Sequence, residues 1–188
     1  EMTYAEVCAY SGYRAGKNCK EVKPEAIPAS GLRTDPCPYC QSVRIQENKA
    51  NTTDLNNVRV EQWFVLPPAM EFYYRRYNPS YLPAPVGAEY GDESARQIME
   101  FIYPGANDKI YIPKTLDGKP GVVVFEVAHR EPGVKIHWHL DQQFIGTTSY
   151  IHQKALNPSP GQHLITLTDE RGNTLKRQFF ILNTTVEM

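Results

Sequence analysis

The sequence predicts a mainly β protein: a two-sheet sandwich of about seven strands behind an irregular cysteine- and proline-rich region with one short helix. Three observations predict it. Fifteen prolines in 188 residues break helices and central strands alike, which excludes long helical bundles. From residue 98 onward, short alternating runs recur between turn signals at the spacing of an all-β sandwich. The preceding residues hold all four cysteines and most of the twelve tyrosines, and show little sustained hydrophobic periodicity. The boundary is expected near Glu93–Ile98, giving domains 1–97 and 98–188.

In the first half, Trp63-Phe64-Val65-Leu66 reads as a short strand or extended segment packed under a helix. That helix starts at Pro67-Pro68, where the missing N–H of proline costs nothing, runs through Ala69–Tyr77 and stops at Asn78-Pro79. In the second half, Asp108–Ile112 and Gly121–His129 are strands, the latter apolar on both faces for part of its length and so central. Val134–Leu140 alternates without fault: Val134, Ile136, Trp138 and Leu140 on one face, Lys135, His137 and His139 on the other. Thr148–His152 is a further short strand. His163–Asp169 and Thr174–Leu182 flank Glu170-Arg171-Gly172-Asn173, where Gly172 can take the positive φ of a tight hairpin. Leu116–Pro120 and Arg130–Gly133 are turns of the same kind. Trp138 belongs between the two sheets, with Ile136, Leu140, Phe125, Val127, Ile165 and Leu167. The arrangement is immunoglobulin-like or fibronectin-like.

Composition limits function. Twenty basic and twenty-one acidic side chains leave a net charge of −1, without the cationic excess a nucleic-acid grip needs. No stretch approaches the ~18 uninterrupted apolar residues of a membrane span, so membrane contact is not expected of these residues. The chain opens without a basic n-region or apolar h-region, as expected of a processed chain or of a piece of a longer one.

The cysteines Cys8, Cys19, Cys37 and Cys40 follow the spacing C-x10-C-x17-C-x2-C. A C-x2-C knuckle supplies two of the four tetrahedral ligands zinc requires. Four cysteines are also an even number that an oxidising compartment would pair as disulfides. Cys37-Pro38-Tyr39-Cys40 has the shape of a redox pair, but no βαβ pattern surrounds it. Either remaining role, zinc or disulfide, staples a region with a weak core.

No catalytic constellation is legible: there is no G-x-S-x-G elbow, H-E-x-x-H or phosphate-cradling loop. His137 and His139 share a strand face, but a metal site needs three or four convergent ligands. With Lys135 they read as a solvated face and a candidate binding surface. His163 reads as a hydrogen-bonded structural histidine, and Asp117 and Asp169 as turn carboxylates. The Tyr-rich segment Glu71–Tyr90 either tiles a small core or stacks on sugars or partners.

Several segments, in order, resemble the C-terminal region of the penicillin-binding protein 1C family. They are Cys8-Ala9-Tyr10-Ser11-Gly12, Cys37-Pro38-Tyr39-Cys40, Trp63–Pro68, Ile102-Tyr103-Pro104, Trp138-His139-Leu140-Asp141, Pro160-Gly161-Gln162-His163-Leu164 and Asp169-Glu170-Arg171-Gly172. The chain departs from the pattern at Gln142, where glycine is usual, and at Gly105-Ala106-Asn107, which replaces the common Asp-Gly. The resemblance implies the non-catalytic linker and C-terminal domain of a periplasmic, inner-membrane-anchored peptidoglycan synthase. The Ser-x-x-Lys, Ser-x-Asn and Lys-Thr-Gly of its transpeptidase are absent, since Leu116 follows Lys114-Thr115. In the family the last cysteine position is often a histidine, an exchange that suits a metal ligand and not a disulfide. The expected partners are the parent transpeptidase domain and peptidoglycan or a cell-envelope protein. The competing reading is an independent secreted carbohydrate- or protein-binding sandwich.

Overall fold

The computed structural model describes residues 1–46, 58–85, 88–91, 96–119 and 121–183. The chain forms two compact units, Glu1–Pro67 with Tyr77–Gln97, and Pro68–Arg76 with Ile98–Met188. The helix at 68–76 thus groups with the sandwich rather than with the cysteine-rich residues around it in sequence.

The first unit contains two small sheets. Strands β1 (Met2–Cys8) and β2 (Val22–Pro28) form an antiparallel ribbon with Met2 opposite Pro28 and Cys8 opposite Val22. The flanking bonds Ala29 N–H to Glu1 O and Ala9 N–H to Glu21 O fix which groups face inward. Odd-numbered residues of β2 bond to β1, and Val22, Pro24, Ala26 and Pro28 turn their backbone groups to the free edge. Strand β3 (Cys40–Gln46) lies between β4 (Val58–Phe64) and β5 (Glu89–Tyr90). Val43 and Val65 are buried there, with Trp63 and Tyr90 packed against them. These five strands occur where the sequence shows little periodicity. The reason is exposure: β2 buries almost nothing on either face, so no alternation is imposed.

Among the described residues the second unit is a sandwich of eight strands. A five-stranded sheet runs β10 (Gln143–Thr148), β9 (Ile136–Leu140), β12 (Gly161–Asp169), β13 (Thr174–Ile181), β7 (Asp108–Ile110). A three-stranded sheet runs β11 (Gln153–Leu156), β8 (Val123–His129), β6 (Met99–Tyr103). β8 is central, as its two apolar faces imply. All pairs within these sheets are antiparallel except β13 with β7. Both sheets contribute to one core in which Phe125, Ile136, Trp138, Ile165 and Leu167 are fully buried. Leu140, expected inside, is partly buried at its margin. Met99, Phe101, Ile110 and Phe179 complete the core, the Phe125 and Phe179 rings meeting edge to face at 4.9 Å.

Turn chemistry follows the residues. Asp169 Oδ1 accepts the amides of Arg171 (2.9 Å) and Asn173 (2.8 Å), and Gly172 sits at φ +90°. Asp141 and Gln142 form the two-residue β9–β10 loop at φ +48° and +74°, the left-handed pair of a type I′ turn. That conformation explains why glycine is usual at position 142. The expected strand over Thr148–His152 is not formed. β10 ends at Thr148 in the five-stranded sheet and β11 begins at Gln153 in the other, so the residues between them form the corner where the chain changes sheet. Tyr150 occupies it at φ +62°, with Ile151 N–H bonded to Ser149 O at 2.7 Å, a positive-φ γ-turn, which is rare and strained.

Helix α1 (Pro68–Tyr77) starts as the prolines predict. The Glu100 side chain accepts its Ala69 amide at 3.0 Å, meeting one of the donors a helix start leaves open. Glu71 is 2% exposed, and its carboxylate bonds Arg130 through one oxygen and Arg75 through the other. A buried carboxylate demands such partners.

Candidate metal centre and sheet-face surface

The Sγ atoms of Cys8, Cys19, Cys37 and Cys40 all lie within 4.8 Å of one another. Cys8 ends β1, Cys40 opens β3, and Cys19 and Cys37 lie on the loops leading to β2 and β3. All four are free thiols. Cys8 and Cys40 are separated by 3.6 Å, far beyond the ~2.05 Å of a disulfide and close to the ~3.8 Å edge of a tetrahedron with ~2.3 Å zinc–sulfur bonds. Gly16 N–H points at Cys19 Sγ (3.2 Å) and Ser11 Oγ lies 3.1 Å from Cys37 Sγ, the outer hydrogen bonds that orient ligands.

The electrostatics fit a cation. Burial raises the Cys8 thiol, but hydrogen bonds from Ser11 and Tyr10 outweigh it and bring the group down to about 7. Burial, followed by the neighbouring thiols of Cys8 and Cys19, pushes Cys40 strongly up, and burial also raises Cys19. Thiolates this close cannot all form side by side unless a positive charge sits among them. The four residues therefore fit a structural zinc ion. Tyr39 and Phe64 pack against the cluster.

On the second unit, His137 and His139 share the outer face of the five-stranded sheet, as the alternation implies. Lys135 precedes β9 and is exposed, its carbonyl accepting Glu170 N–H at 3.1 Å. Cross-strand register sets two rows: Phe144–His139–Thr166–Lys176 and Thr147–His137–Thr168–Thr174. His137 Nδ1 is 2.9 Å from Thr147 Oγ1. The half-exposed Phe144 ring lies 5.4 Å from His139 and 6.4 Å from His137. Sequence reading missed Phe144 and Thr147, because Gly146 interrupts the alternation of β10 and shifts its register. Among the described residues the two histidines have no third ligand for a metal. His163 is structural as expected, bonded to Asp141 (2.5 Å) and Ser159 O (2.7 Å) and stacked on Phe179. The Tyr-rich segment divides: Tyr81 packs edge to face on Phe64 and Tyr90 on the Val43 cluster, while Tyr73 and Tyr77 are exposed.

Residues 89–179 match the Penicillin-Binding Protein C-terminus Family. Over this segment the resemblance read from the hairpin and turn motifs is borne out. A match to that family points to a cell-envelope protein. No curated protein matches the chain. Among solved structures, the fibronectin(III)-like modules of CbhA from Clostridium thermocellum are similar at 10% identity and a TM-score of 0.35, over 45% of this chain and 96% of that one. Among the described residues no helix is long and apolar enough to cross a membrane.

Proposed function

We propose that this penicillin-binding-protein C-terminal region is a non-catalytic accessory module of a periplasmic peptidoglycan synthase. In it, zinc held by Cys8, Cys19, Cys37 and Cys40 staples the first unit, and the outer face of the five-stranded sheet contacts cell-wall glycan. The family match over residues 89–179 carries the reading. The glycan contact is supported by the Phe144 ring, 56% exposed and bordered by His137, His139 and threonine hydroxyls, since an aromatic face beside hydrogen-bonding groups suits the alternating apolar and polar sides of a sugar. Zinc in such a site is closed by four protein ligands and shapes the fold without taking part in chemistry.

The test is sedimentation of the full chain with purified peptidoglycan and with an unrelated polysaccharide. Retention by peptidoglycan alone, weakened by Phe144→Ala and His139→Ala, is expected. Equal retention by both polymers would favour a general carbohydrate-binding module. No retention by either would reject the glycan contact. A fluorescent penicillin should leave the chain unlabelled on a denaturing gel, as a module without an acylating serine requires; a covalent adduct would overturn the non-catalytic reading.

A further inference from the structure

The outer face of the five-stranded sheet carries a local surplus of positive charge on a chain whose net charge is −1. Cross-strand register adds a third row to the two that hold the histidines: Lys109–Phe180–Gln162, at the opposite edge of the sheet from Phe144. Lys109 and Lys176 are exposed, and among the described residues neither has a carboxylate partner. No Asp or Glu stands in any of the three rows. The carboxylates at the margins are already engaged. Asp141 holds His163 at 2.5 Å and the Leu164 amide at 2.8 Å. Glu170 stands beside Lys135 where the β9–β12 pairing continues, its amide bonded to the Lys135 carbonyl.

Placement is the second observation. Each of these lysines shares a row with an exposed aromatic ring. Strands lie ~4.8 Å apart, so the row from Phe144 on β10 to Lys176 on β13 crosses three gaps, about 14 Å, with His139 and Thr166 between. Phe180 and Lys109 are direct neighbours on β13 and β7. A ring, hydrogen-bonding groups and an ammonium thus follow one another across a flat sheet. A neutral sugar chain would use the rings and hydroxyls and leave both ammoniums idle. Charge complementarity favours a polymer that brings carboxylates to them.

We propose that the glycan met by this face is acidic, with carboxylates carried on the sugar units themselves. One sugar stacks on Phe144 and a carboxylate further along the strand pairs with Lys176; Phe180 and Lys109 repeat the arrangement at the other edge. A carboxylate on the sugar is held at the level of the sheet, where the lysines are, whereas one at the tip of a long branch points away from it. In cell-wall glycan the matching groups are the lactyl ethers left as free acids where stem peptides have been removed. This inference rests on the glycan contact proposed above and adds the charge of the polymer.

The experiment measures binding isotherms of the full chain on three bead-bound polymers: glycan strands freed of stem peptides, the same strands with their carboxylates converted to amides, and intact peptidoglycan. The free-acid strands should bind most tightly, and amidation should weaken binding by about tenfold or more, since every charge-assisted contact is lost. Added salt should weaken binding to the free acid more than to the amide. Lys176→Gln should cost about threefold, the scale of one exposed ion pair. Lys119→Gln should change nothing, because the Lys119 charge is already taken by Asp117 at 2.8 Å. Equal binding of acid and amide, an unchanged affinity in Lys176→Gln, or an equal loss in Lys119→Gln would each overturn the acidic preference while leaving the glycan contact in place. Tighter binding to intact peptidoglycan than to the stripped strands would move the carboxylate to the stem peptide and overturn its assignment to the sugar. No binding to any of the three would remove the glycan contact itself.

Discussion

Cys8 Sγ stands 3.6 Å from Cys40 Sγ, with neither bonded to the other. These residues end one strand and open another, 32 positions apart, and they bring the two small sheets of the first unit together at one cluster of sulfurs, beside the stacked rings of Tyr10 and Phe64. Zinc should therefore be a folding requirement there. About one zinc per chain is expected by elemental analysis, and a strong chelator should unfold the first unit, because site binding energies of ~10–16 kcal/mol become folding energy. No bound zinc, together with thiols blocked until reductant is added, would assign the cysteines to disulfides instead.

Trp138→Ala should cost about 3–5 kcal/mol, as loss of a large core aromatic does. The side chain is fully buried and its Nε1–H is satisfied by Thr148, so both packing and a hydrogen bond disappear. Urea unfolding monitored by circular dichroism measures it; a loss below ~1 kcal/mol would contradict the central place of the residue.

Stability should fall as pH drops from about 6.5 to about 4. Burial, and secondarily the nearby His129, lowers His152 from 6.5 to about 4. Across that window the unfolded chain takes up a proton that the folded chain refuses, so the unfolded state gains. The change from this residue is on the order of 3 kcal/mol, and a folded His152→Phe variant should lose that slope. A wild-type stability that is flat across the window would disprove neutral burial of the imidazole.

Gln142→Gly should stabilise the protein by about 1 kcal/mol, since a side chain at φ +74° carries the left-handed penalty that glycine avoids. A thermal midpoint unchanged or lowered would mean that the glutamine side chain compensates.

Alanine at Lys135, His137 and His139 together should change stability by no more than about 1 kcal/mol, as outward sheet positions do. A larger loss on denaturant titration would show that this face carries structural weight.

The second unit was largely legible because its strands bury one face. Ile136, Trp138, Ile165 and Leu167 could be placed inside from alternation alone, and Gly172 announced its hairpin. The strands of the first unit were hidden, because β2 has no buried face to impose a period. The four cysteines could be grouped by spacing, whereas the convergence of their sulfurs within 4.8 Å of one another needed the fold. The buried ion pair of α1 left no local signal at all. Glu71 and Arg130 are far apart in the chain, and only the docking of the helix on the sandwich brings them together.

The two prolines of β2 have a consequence for how the module behaves at high concentration. Pro24 and Pro28 occupy two of the four positions whose backbone groups turn outward from the ribbon. Each removes a donor that an incoming strand would need. A neighbouring molecule that tried to extend this sheet would find alternate rungs missing. An otherwise open ribbon is thereby a poor template for aggregation, and replacing both prolines with valine would turn it into a better one.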